Sequence, residues 1–167
     1  MSIEFFTGYL PQTPEEVPHF LEEYTRRVEE AFDMLNEEIP WTPVLSDGTN
    51  DATHSVQDGA IIRIGNLVHA FGRLTTTALG SVSGDIRITG LPYKSHPESP
   101  EGTMSASLSA GLNLTNGESV VGAVIKDTTH IALGVWKANT GVQAMTDSEW
   151  SPDGDLLFHA VYRRAAT

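Results

Sequence analysis

Two hydrophobic periods divide this chain near Trp41. Between residues 17 and 35 apolar side chains recur at Val17, Leu21, Tyr24, Val28, Ala31 and Leu35, the alternating four-and-three spacing of a coiled-coil seam. In heptad terms Leu21, Val28 and Leu35 take position a, while Val17, Tyr24 and Ala31 take d. Phe20 and Phe32 widen the stripe. From Thr53 onward the pattern becomes short two-period runs separated by Gly, Asn and Asp. The clearest run places Ala106, Leu108, Ala110, Leu112 and Leu114 on one face, with Ser105, Ser107, Ser109 and Asn113 on the other. The chain is therefore predicted to be mainly β with an N-terminal α-helix: a short coiled-coil-forming helix, then an antiparallel β-sandwich or jelly roll.

Thr13-Pro14-Glu15-Glu16 is a helix start, with Thr13 as cap and Pro14 in the first helical position. Pro18 delays the regular helix, which is expected to run to about Glu38 and stop at Ile39-Pro40. Glu22 with Arg26 and Glu23 with Arg27 are favourable i,i+4 pairs. A helix of this size is marginal in water alone, so its apolar face needs a partner. A seam between copies and a resting place on the chain's own sheet both supply one; three unbroken heptads favour the seam. Ahead of the helix, Ile3, Phe5, Phe6, Tyr9 and Leu10 make an apolar arm that either packs back or plugs into another protein. Residues 1–40 are thus read as an arm and oligomerisation helix, and 41–167 as a β-domain.

Within that β-domain Gly65-Asn66 and Asn116-Gly117 are hairpin turns, each between two strand-like runs. Further runs are Asp85–Thr89, His130–Lys137 and Leu156–Arg163, and 90–103 and 138–155 are expected loops. Several runs are apolar on both faces, such as Val120 to Ile125 and Ile131 to Trp136. A lone sandwich has a polar outer face, so this doubling also points to another layer or subunit.

Composition removes several function classes. The 167 residues carry a net charge of −12, and the adjacent basic pairs are Arg26-Arg27 and Arg163-Arg164, so nucleic acid is a poor partner. Without cysteine there are neither disulfides nor thiolate metal sites. No signal-like leader or roughly 20-residue apolar run is present, which predicts a soluble protein with no membrane insertion.

Candidate chemistry is sparse. The six histidines lack chelating spacing, although His69 and His159 could converge from different strands. Val82 occupies the serine position of the elbow-like Gly80-Ser81-Val82-Ser83-Gly84. Asp47 with Asp51, and Asp153 with Asp155, lack the spacing of a calcium loop. No catalytic residue, metal or cofactor is assigned, and the chain is read as non-enzymatic. A neutral hydroxyl and amide face beside Tyr93, Trp136 and Trp150 suits sugar rings, which stack on aromatic side chains. Those three are the candidate ligand-binding residues.

WTPVLSDGTNDAT, GAIIRIGNLVHAFGRL and SGDIRITGLPYKS, which lie between Trp41 and Ser95, resemble the β-domains of tail-fibre, spike and related virion proteins of bacteriophages and phage-like gene-transfer particles. TPEEVPHFLEEYTRRVEEAF resembles the short helices such proteins place before the β-part. The resemblance covers about residues 13 to 95. It implies a virion protein assembled in the bacterial host cytoplasm: a homotrimeric appendage in head or tail, joined to other virion proteins through its N-terminus. Its β-rich tip would contact the host envelope, with a surface glycan as expected ligand. A capsid decoration or baseplate protein without receptor role is the first alternative, and a polysaccharide depolymerase the second.

Overall fold

The computed structural model describes residues 13–35 and 37–165. The chain divides between Glu37 and Glu38 into two units. In the first, helix α1 spans Val17–Leu35. A turn closed by Glu16 N–H donating to the Thr13 carbonyl precedes it, so Pro18 falls in the first helical turn, where a missing N–H costs nothing. Glu23 accepts from Arg27 at 2.8 Å, whereas Arg26 turns to Glu30 rather than to Glu22. Phe20 stacks on Tyr24 with ring centroids 6.2 Å apart. Val17, Leu21, Tyr24 and Phe32 are exposed, and Val28 and Ala31 are half-buried. The Leu35 side chain and the arm residues Ile3, Phe5, Phe6, Tyr9 and Leu10 lie outside the described residues.

The second unit, with the first strand beginning at its boundary, holds ten strands among the described residues: β1 Glu37–Pro40, β2 Val44–Ser46, β3 Thr53–Ile64, β4 Leu67–Ala78, β5 Arg87–Thr89, β6 Gly102–Leu112, β7 Ser119–Val124, β8 Ile131–Lys137, β9 Gly141–Ala144 and β10 Trp150–Arg163. They form one sheet in the order β1-β3-β4-β10-β6-β7-β8-β5-β2, with β9 also pairing β8, and the pairings from β3 through to β2 are antiparallel. Two packed sheets were expected; the hydrogen bonding instead runs along a single path. Flat, nine strands would hold the outermost pair about 38 Å apart. Yet β1 and β2 are joined by Trp41, Thr42 and Pro43, a link of at most roughly 14 Å. The sheet must therefore curl until its two edges meet.

Side chains on the inner surface of that curl are the core. Leu45, Ile61, Val68, Ala70, Leu74, Ile88, Val124, Ile131, Val135, Leu156 and Ala160 are fully buried. Trp41 enters at the seam between the edges, donates its indole N–H to the Phe71 carbonyl at 2.8 Å and meets Phe158 edge-on. Gly59 makes this entry possible, since a Cβ there would stand 2.4 Å from the Trp41 ring nitrogen. Val82, at the heart of the elbow-like segment, is another core residue.

Four local expectations give way. Glu37–Pro40 is an edge strand rather than the end of the helix. Ile39 packs against the core, and Pro40 is tolerated because an edge strand has an unused N–H side. The segment 138–155 contains β9 and the start of β10; a register shift between Trp150 and Asp155 accommodates Pro152 and Gly154. The Asn116-Gly117 turn does not join a continuous ladder, because β6 and β7 pair only at Gly102–Ser105 with Val121–Val124.

The fourth concerns the two-faced β6. Ala106 opposes Phe158 and Leu108 opposes Leu157, leaving Ser107 as an extra residue in the ladder. One extra residue exchanges the two faces of everything after it. Ala106 accordingly packs on the core, while Leu108 stands 49% exposed. The serines do not share one face.

Candidate functional site

The three aromatic candidates have separate fates. Trp150 is 1% exposed, and its indole N–H donates to the Thr76 hydroxyl at 2.9 Å. It presents no face to a ligand, which corrects the expectation of an open loop over 138–155. Tyr93 is half-buried, and the guanidinium groups of Arg63 and Arg164 lie 5.6 and 5.7 Å from its ring centroid. Its carbonyl accepts from the Tyr162 hydroxyl at 2.9 Å. Its ring is already engaged by cations.

Trp136 is 44% exposed. On β8 it follows the fully buried Val135, so strand alternation turns it outward, and it sits between Ser119 of β7 and Val142 of β9. Beside it lies a hollow of about 400 Å³ lined by Val121, Ala123, Ala132, Gly134, Val142 and Gln143 among others. Gly134 keeps this hollow open. A Cβ there would come within 2.8 Å of a Val142 methyl and 3.1 Å of the Gln143 carbonyl. Among the described residues no ionisable side chain lines the hollow.

Charge collects instead at the neighbouring strand end. Lys137 donates to Glu149 at 3.0 Å, with Glu118 at 3.5 Å. The Glu149 hydrogen bond holds the ammonium above the ordinary lysine range, against some desolvation. An exposed indole, an adjoining shallow apolar hollow, the Ser119 hydroxyl and the Gln143 amide can together stack and hydrogen-bond a neutral ring.

Other candidates are accounted for structurally. The Asp47 carboxylate accepts from the backbone N–H groups of Thr49, Asn50 and Ser83, and from the Asn50 amide, which keeps it far below the usual carboxylate range. Asp155 is held by Arg73 at 2.8 Å and by Thr75 at 3.0 Å. His69 and His159 do converge, with ring centroids 5.6 Å apart. Among the described residues no group of three or more His, Cys, Asp or Glu is placed to hold a metal ion.

The hollow escaped sequence reasoning because its lining is merely small and apolar. The available signal was Gly134 inside an otherwise apolar strand, which marks close approach or missing bulk.

No family model matches this sequence, and no curated protein matches it. Among solved structures, the crystal structure of the Dettilon tailspike protein matches 76% of this chain with a TM-score of 0.66 and 14% sequence identity. The match spans 23% of that protein's chain. At this identity the likeness is one of fold: this chain is folded like part of a tailspike.

Proposed function

We propose that this chain is a structural subunit of a bacteriophage or phage-like particle, forming a homotrimeric fibre or spike that contacts the host envelope. The observation that carries the proposal is the tailspike-like fold over 76% of the chain. The heptad stripe of α1, with Val17, Leu21 and Tyr24 exposed, supports association through the helix. The apolar arm at residues 1–12 would join the subunit to other virion proteins.

Host contact is assigned to the Trp136 hollow, with a neutral envelope glycan as ligand. A single shallow platform binds weakly, at about −4 kcal/mol for millimolar affinity, and multiple copies raise the effect by avidity. Particles carrying Trp136→Ala should adsorb poorly to host cells while the purified protein keeps its melting temperature. Unchanged adsorption, together with no binding on a panel of host glycans, would leave a decorative structural role as the better account.

A further inference from the structure

The outer surface of β3, β4, β10 and β6 is apolar where a solvated sheet is polar. Register places Ile62 beside His69 and Val161, Ala60 beside Phe71 and His159, and Arg73 beside Leu157 and Leu108. Ile62, Ile64, Leu67, Phe71, Leu108 and Leu157 are 37–56% exposed. Six side chains of this size leave on the order of 500 Å² of apolar surface uncovered, near the upper end of the largest patch on a typical monomer. The rings of His69 and Phe71 stack at 4.4 Å, so the middle of the patch is a prepacked surface rather than loose side chains.

We infer that this face is the contact between copies of the chain in the β-domain. The inference rests on the homotrimer proposed above and names the surface that the helix alone leaves unassigned. Three observations select a second copy as occupant.

The first is electrical. This chain is strongly acidic, yet the charged groups in the ladder rows of the face are Asp58, Arg73 and Asp155 at one end and Arg163 at the other. Arg73 and Asp155 neutralise each other at 2.8 Å. Identical copies can therefore meet here without opposing like charges.

The second is the bulge at Ser107. It turns Leu108 outward beside Leu157, whereas unbroken alternation would have kept Leu108 on the same face as Ala106. The third is scale. A stable interface takes about 800 Å² from each partner; the face supplies a large share, and the exposed seam of α1, on the same chain, offers more.

The chain lacks cysteine, so an introduced thiol reports on one position only. Full-length Leu157→Cys and, as a comparison, Val142→Cys would be treated with a short bifunctional maleimide and sized by denaturing gel. In parallel, the mass of native protein and of Leu157→Glu would be followed by light scattering across a dilution series. The expected result is cross-linking between copies at position 157 but not at 142. Leu157→Glu should raise the concentration of half-dissociation by ~100-fold, because it carries an added carboxylate from each copy into a contact that must shed its water, with the folded monomer intact by circular dichroism. A native trimer that shows no cross-link at 157 and tolerates Leu157→Glu would overturn the inference and leave the trimer standing. A native monomer at every concentration would remove both.

Discussion

The indole N–H of Trp150 donates to the Thr76 hydroxyl at 2.9 Å, and that hydroxyl donates onward to the Gly154 carbonyl at 3.3 Å. Both side chains are buried, so water cannot replace either partner. Thr76→Val keeps the shape and strands the indole donor, which should cost about 1–3 kcal/mol. Thermal denaturation will show this as a lowered midpoint, with Thr76→Ser recovering most of it. Trp150→Ala removes a whole core side chain and should cost about 3–5 kcal/mol, an effect on folding rather than on ligand binding.

Charge in the helical seam tests the oligomer directly. Leu21→Glu combined with Val28→Glu places carboxylates at two successive a positions, and their desolvation opposes association. The double variant should sediment as a smaller species than the native protein at equal concentration. Equal sedimentation would remove α1 from the assembly contacts.

Acid should loosen the β-domain through His54. The Leu45 N–H donates to His54 Nε2 at 3.1 Å, which requires that nitrogen to be unprotonated. Burial lowers the His54 pKa from the ordinary 6.5, with Asp51 acting in the opposite direction. Burial, with Arg87, lowers that of His130 too. As pH falls through about 6.5 the unfolded chain takes up these protons first, so stability is full above that value and declines below it. Melting midpoints should fall from about pH 7 to about pH 5. The decline should be smaller in His54→Gln, whose amide oxygen can accept the Leu45 N–H. An identical decline in both proteins would dismiss His54 as a contributor.

Local periodicity made the helix and the hairpin at Gly65-Asn66 legible, and it allowed, without requiring, the convergence of His69 with His159. Each depends on residues near one another in sequence, or on strands long enough for alternation to persist. The two tryptophans were harder to sort. Val135 and Trp136 are both apolar neighbours on one strand, so alternation says that one faces inward without saying which. Curling of the sheet decides it, burying Val135 and leaving Trp136 outside. Trp150 was hidden by Pro152 and Gly154, whose turn chemistry is overridden by an irregular start to β10. The Ser107 bulge leaves no trace in a sequence whose alternation of serine with Ala and Leu continues straight through it.

The placement of β10 has a bearing on how the molecule comes into being. The strand latest in sequence lies between β4 and β6, and it is the piece through which the β3-β4 hairpin reaches the β6-β7-β8 group. Before it arrives there are two partial sheets with open inner edges, each offering unpaired backbone to any neighbouring chain. Productive folding is therefore a race between insertion of this keystone strand and edge pairing with another nascent copy. Contacts of such long sequence separation close slowly. Shortening the chain before Arg163 should therefore yield aggregates rather than a smaller folded domain.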